Sequence, residues 1–429
     1  MKPSGIEWIG DIPDDWEVIR FKNILKVRDD LSTNGDELLL SVSQYTGVTP
    51  RSEKIEDGDF ISRADSLVGY RICNRNDLVM NIMLAWNGSL AFSNYDGIVS
   101  PAYAVFFIYN NNFYYKFLHY LLRTSAYTSY FRANSTGIID SRLRLYPDVF
   151  GQLNCIYPPL ETQQKIADYL DEKCGEIDKT IEKQKESIEK LKAYKQSLIS
   201  ETVTKGLNKS TPLKPTGIDF LGDIPSHWEV RRLKTLTSII SKGTTPTTIG
   251  RNIVDEGNIR FIKAENIQND RLVIDPLSTI DNETNELLKR SQLKKNDILF
   301  VIAGATIGKV AIVDEEFLPA NTNQAVSFIR LYATENHKYV YYSLKSNYVK
   351  ENLNILAVQS AQPNLSMEDL GNFYLGYPNL SEQEEIVSYL NEKCDEIDST
   401  INKKQKIIEK LDAYKKSLIF ECVTGKQRI

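Results

Sequence analysis

YPPLETQQKIADYLDEKCGEIDKTIEKQKESIEKLKAYKQSLISETVT at 157–204 returns at 377–424 as YPNLSEQEEIVSYLNEKCDEIDSTINKKQKIIEKLDAYKKSLIFECVT, with more than half of the positions identical. From Gln163 to about Thr204 the first copy has no proline and a single glycine, Gly175. Leu170, Cys174, Ile177, Ile181, Gln184, Ile188, Leu191, Lys195 and Leu198 follow one another at alternating spacings of four and three. The second copy places Leu390, Cys394, Ile397, Ile401, Lys404, Ile408, Leu411, Lys415 and Leu418 in the same way. This is a heptad seam, and it predicts two helices of about 60 Å that cannot bury their apolar stripe alone. Each is the obvious partner of the other. Gln184 and Lys404, polar at matching seam positions, either set the register or mark a seam locally open to water. Cys174 and Cys394 read as small seam residues. Ser381, with Glu384 three residues on, is the cap candidate of the second helix.

The repeat extends outward from the helices. KPSGIEWIGDIPDDWEVIRFK (2–22) is echoed by KPTGIDFLGDIPSHWEVRRLK (214–234), so the chain alternates globular segment, helix, globular segment, helix. The boundaries fall at 1–156, 157–206, 207–376 and 377–429. Inside the globular segments RNDLVM (75–80) and KNDILF (295–300) fall at the same offset. Gly88 and Gly308 then precede the alternating runs GSLAFS and GKVAIV, which predict a hairpin in each copy. Two equivalent units in one chain are most simply related by a two-fold axis. With that axis across the helices they run antiparallel. The predicted class is therefore α+β: two similar α/β domains separated by two long repeated helices, packed as an antiparallel coiled coil with pseudo-two-fold symmetry. The expected shape is a rod carrying two heads at a fixed span.

Composition narrows the functional classes. In 429 residues, 52 Lys+Arg against 57 Asp+Glu give a net charge of −5, and each block is close to neutral. A uniformly basic nucleic-acid coat is excluded; a local basic groove is not. Five dispersed cysteines without a CxxC pair fit a reduced, cytoplasmic protein, and no apolar run is long enough to span a membrane. Three histidines (His119, His227, His337) stand outside metal-ligand spacing of one another. GATIGK (304–309) has three residues between its glycines instead of four and ends in Val310 where a phosphate loop needs Ser or Thr. No Rossmann, nucleophile-elbow or zinc-protease motif is present. The reading is a non-catalytic chain that binds no metal or cofactor of its own. The aromatic run FYYKFLHYLL (113–122) predicts an amphipathic helix with one buried face.

The duplicated order of GIEWIGDIP (5–13) and GIDFLGDIP (217–225), of PPLETQQKIADYLD (158–171) and PNLSEQEEIVSYLN (378–391), with NDILFVIAGATIGKVAIV (296–313), resembles the specificity subunit of type I restriction–modification enzymes along essentially the whole chain. The resemblance implies two target-recognition domains, each reading part of a bipartite site in double-stranded DNA, with the gap set by the helices. It implies two methylation subunits as partners, using S-adenosylmethionine, and two ATP- and magnesium-dependent restriction subunits in the cleaving complex.

Base-edge recognition asks for Arg or Lys toward guanine and Asn or Gln toward adenine, carried on loops. The candidates in the first domain are Ser43, Gln44, Tyr45, Arg71, Asn81, Trp86, Asn87, Ser100, Tyr103, Arg142 and Arg144. In the second they are Lys242, Thr244, Thr245, Lys263, Glu265, Asn266, Thr306, Lys309, Asn321, Asn323, Gln324, Gln359, Gln362 and Asn364. For any one of them a turn or cap role is the alternative. Arg231 and Arg232 read as phosphate clamps or solvated strand residues. The rival readings are a scaffold with two peptide- or protein-binding heads and the recognition component of a related restriction system.

Overall fold

The repeated tripeptides RND and KND show how each globular segment is built. Asn76 and Asn296 adopt φ of 67° and 68°, the left-handed turn that asparagine tolerates. The next residues, Asp77 and Asp297, turn their carboxylates back onto the amides of Asn74 and Lys294, both at 2.8 Å. From these turns run the strands Leu78–Asn81 and Ile298–Val301. This computed structural model describes residues 1–54, 66–139, 142–276, 278–358 and 364–429.

Each strand lies inside a four-stranded antiparallel sheet of the same order. In the first copy the order is Leu25–Val27, Tyr103–Ile108, Leu78–Asn81, Leu90–Phe92; in the second it is Thr237–Lys242, Val326–Leu331, Ile298–Val301, Val310–Ile312. The predicted hairpins are present, turning through Gly88 at φ 93° and Gly308 at φ 88°. Their alternation has a different meaning from a half-exposed strand. Ile298, Phe300 and Val310 join one apolar core with the helices, whereas Leu299, Val301 and Ala311 join a second core beyond the sheet. Period-two placement therefore sorts residues between two interiors, and both faces are dry.

In both copies two short helices follow the sheet. Tyr115–Leu122 and Ser125–Ala133 correspond to His337–Leu344 and Asn347–Val358. Phe117, Leu118, Leu121 and Leu122 are buried, as the amphipathic reading of that run requires. The repeated opening motif ends in a strand that pairs with the strand feeding the long helix. Glu17–Arg20 lies antiparallel to Asn154–Tyr157, and Glu229–Arg232 to Tyr374–Tyr377. Buried Trp16 and Trp228 pin these junctions.

The long helices span Leu160–Lys205 and Leu380–Val423, 46 and 44 residues. Both start directly after the repeated Tyr-Pro-x entry. The cap of the second is not Ser381, which lies inside the helix: Asn379 Oδ1 accepts from the amide of Glu382 at 3.0 Å. Asparagine directly after proline is already extended, and that is the backbone a cap needs.

The chain divides into two units, one of residues 1–184 with 405–429, the other of residues 185–404. In the first, Leu170, Cys174, Ile177, Ile181, Ile408 and Leu418 are buried and Leu411 is half-buried. Cys422 neighbours Cys174 while Lys415 Nζ meets Asp178 at 2.6 Å, so the two helices run antiparallel. In the second, Ile188, Leu390, Cys394 and Ile397 are buried and Leu191, Leu198 and Ile401 half-buried. There Lys195 Nζ meets Asp398 at 2.8 Å, and Ile199 and Val203 share a core with Ile386 and Leu390, again antiparallel. Asp178 and Asp398 hold the same place in the two copies, as do Lys195 and Lys415. Each unit thus contains the same ion pair with the copies exchanged. Gln184 and Lys404 are half-buried. All five cysteines are free and buried. No helix among the described residues is long and apolar enough to cross a membrane.

Candidate nucleic-acid interface

Polar loops collect at the same end of the four-stranded sheet in both units. In the first, that end is where Leu78–Asn81 finishes opposite Tyr103 and the turn to Leu90–Phe92 begins. Trp86 and Asn87 lie on this turn. Trp86 Nε1 donates to the carbonyl of Met83 at 3.0 Å, its ring lies 5.0 Å from the Arg132 guanidinium, and Asn87 Oδ1 accepts from Ser89. The segment carrying Arg142 and Arg144 is tied to the same place: the Leu145 amide bonds to the Ile82 carbonyl, and Thr136 bridges to Arg144. Arg142 is exposed and Arg144 half-buried.

The hairpin of Leu40–Ser43 and Gly47–Pro50 brings Ser43, Gln44 and Tyr45 to this group. A Cβ on Gly47 would stand 3.2 Å from Ala91, and one on Gly88 would come within 3.9 Å of Gln44. Ser43 and Thr46 join their hydroxyls at 2.9 Å across the turn, leaving Tyr45 83% exposed at its tip. Arg71 and Ser100 lie close by. Arg71 pairs with Asp29 at 3.4 Å and reaches the Pro101 carbonyl, while Ser100 Oγ accepts from Ala102. Tyr103 is half-buried, and that burial raises the pKa of its phenol.

The second unit repeats the plan with other residues. Val301 pairs with Val326 and Lys242 with Ser327 at the sheet end. Thr244 donates its amide to Thr322, and Gly243 lies so close that a Cβ would stand 1.9 Å from the Thr322 oxygen. Only glycine fits between Lys242 and Thr244. Asn323 donates its amide to Ile262, which places Asn323, Gln324, Lys263 and Thr245 together. The turn bearing Thr306 and Lys309 joins them through the bridge from Ala303 to Asn364 and the bond from Ile302 to the Ala325 carbonyl. Lys263 is held by Glu265 at 3.1 Å. Lys242, Glu265, Gln324 and Asn364 are exposed. Gln359 and Gln362 lie outside the described residues.

Three candidates serve the fold instead. Asn81, 4% exposed, accepts from the Met83 amide and shapes the turn. Asn266, 2% exposed, accepts from the Lys263 amide and donates to Val273 and Pro276. Asn321, fully buried, donates to Asn285 and Leu288. Their side chains are occupied inside the protein, which removes them from any reading surface. Arg231 and Arg232 lie over Tyr377 and Tyr374, and Arg232 Nε also bonds to the Tyr374 hydroxyl.

Sequence reasoning missed Arg123 and Arg132. Arg123 ends an aromatic helix and carries no spacing signal. Only the fold shows that it binds backbone carbonyls of both hairpins. Arg132 lies on Ser125–Ala133, a helix that the turn of Trp86 approaches. Among the described residues no group of three His, Cys, Asp or Glu side chains could hold a metal ion.

Two copies of one α/β head, each with its own polar loop cluster at the same sheet end and each built onto an antiparallel pair of helix segments, define a duplicated recognition protein. Residues 225–412 match the family described as the type I restriction modification DNA specificity domain. The type I restriction enzyme MjaVIII specificity subunit of Methanocaldococcus jannaschii is 26% identical, over 97% of this chain and 94% of its own length. The EcoBI specificity subunit of Escherichia coli is 27% identical over 68% of this chain and 61% of its own. The fold is shared with a chain from a structure of the assembly and conformational transition of a type I R-M system, with a TM-score of 0.73 at 15% identity, covering 97% of this chain and 100% of the other. It is also shared with the HsdS subunit from Thermoanaerobacter tengcongensis, with a TM-score of 0.52 at 15% identity, covering 97% and 98%.

Proposed function

We propose that this chain is the DNA-specificity subunit of a type I restriction–modification complex, itself without catalytic activity. Each head reads one half of a bipartite target in double-stranded DNA through the loop cluster at its sheet end. The antiparallel helices set the gap between half-sites and, being near-identical, offer the same docking surface twice, to two methylation subunits. S-adenosylmethionine, ATP and magnesium belong to those subunits and to two restriction subunits, and the complex works in the cytoplasm.

One observation carries this reading: the two heads keep one framework while the side chains at the same sheet end differ, Trp86, Asn87 and Arg142 against Thr306, Lys309 and Lys242. Different side chains on equivalent loops of a duplicated scaffold are what two recognition surfaces for different sequences require.

The test is a mobility shift on mixed genomic DNA with the methylation subunit present, run over a range of salt. Phosphate contacts release counterions, so affinity should fall linearly in log–log form, by about 0.9 per neutralised phosphate. Binding that is absent, or indifferent to salt, would refute the assignment and favour a protein-binding scaffold.

A further inference from the structure

We infer that Arg123 is a positioning residue for the first half-site: it latches the Ser43–Tyr45 turn into its reading geometry. The inference rests on the DNA-reading role proposed above for that head. Arg123 follows the helix Tyr115–Leu122 directly and is half-buried. Its Nη2 donates to the carbonyl of Gln44 at 2.6 Å and to that of Tyr45 at 3.4 Å. Its Nη1 reaches the carbonyls of Ser43 at 3.5 Å and of Leu90 at 3.3 Å. One planar cation therefore gathers backbone from two hairpins, the one that ends in exposed Tyr45 and the one that turns through Trp86 and Asn87.

This arrangement depends on the guanidinium fork. A backbone carbonyl carries no charge, so the hold comes from several convergent N–H groups, which the planar guanidinium presents at fixed angles and a compact ammonium does not. Burial lowers the pKa of Arg123, yet the group starts high enough to remain charged.

The second head supplies an independent parallel. Lys345 follows His337–Leu344 as Arg123 follows Tyr115–Leu122, and it is 6% exposed. Its Nζ meets Asp270 Oδ2 at 2.9 Å, on the tight turn between Ile267–Gln268 and Arg271–Leu272. In both heads a cation at the same place, half-buried in the first and buried in the second, holds the tip of a hairpin that differs between the copies. The cation differs with what it grips: a fork for carbonyls, an ammonium for a carboxylate.

The test uses the full chain assembled with its methylation subunit, and reads methylation at base resolution on genomic DNA. R123Q should relax discrimination by about tenfold or more at one or two positions of one half-site, the same positions touched by Gln44→Ala and Tyr45→Ala. The other half-site should be unchanged, and R123K should give an intermediate result. If R123Q fails to assemble, R123K carries the same comparison. Two intact half-sites, or equal losses at both, would overturn the assignment to Arg123 alone. A wild-type complex without any two-part motif would overturn the reading beneath it as well.

Discussion

Asp77 and Asp297 occupy equivalent places in the two heads, yet their arginines come from different strands. Arg28 grips Asp77 from just after Leu25–Val27, with Nε at 2.6 Å, and Arg330 grips Asp297 from within Val326–Leu331, with Nε at 2.8 Å and Nη2 at 2.6 Å. The aspartate was legible in the repeated ND dipeptide. Its partner was not, because pairing across a sheet depends on register and not on local spacing. Breaking a buried bidentate pair strands a charge, so Asp297→Ala should lower unfolding free energy by about 3–5 kcal/mol in urea titration. A loss below about 1 kcal/mol would contradict the burial. His119 gives a second residue-scale expectation. Burial, with Arg123 beside it, pushes its pKa down to about 4. The unfolded chain takes up that proton near pH 6.5, the folded head only near 4. Its contribution to stability is therefore complete above pH 6.5 and is lost as pH falls toward 4, at about 1.4 kcal/mol per pH unit. Stability measured across that window should fall less steeply in H119Q than in the wild type. Parallel curves would contradict it.

At the scale of elements, the heptads and the hairpin glycines were readable because their signals are periodic and local. The seam positions Cys174, Ile188, Cys394 and Ile408 are all buried. What the pattern did not contain was exact ends and roles: Asn379 as the cap, and Asn266 and Asn321 as internal supports. A polar side chain in a loop looks the same in sequence whether it faces solvent or a backbone carbonyl, and only packing decides. The seam itself makes a quantitative claim. Lys195–Asp398 and Lys415–Asp178 are one ion pair made twice, the first set deeper than the second. Double-mutant cycles should return a coupling of about 1 kcal/mol for Lys195 with Asp398 and less for Lys415 with Asp178. Zero coupling at both would mean the helices do not pair in this register.

For the whole molecule, duplication was the strongest signal in the sequence, because each repeated segment is long and their order recurs. The reading residues were the weakest signal, since loops that diverge to bind different targets share no pattern. The proposed ruler joins these levels: each head keeps its own half-site, and the helices hold the gap. Base-resolution methylation sequencing of DNA modified by the assembled complex tests this most directly, with wild-type chain, Arg142→Ala and Lys263→Ala compared. The account predicts one two-part motif with a constant gap, in which Arg142→Ala alters only one half and Lys263→Ala only the other, each costing about 1–3 kcal/mol at the affected position. A continuous motif, a gap that varies from site to site, or methylation indifferent to both substitutions would contradict it.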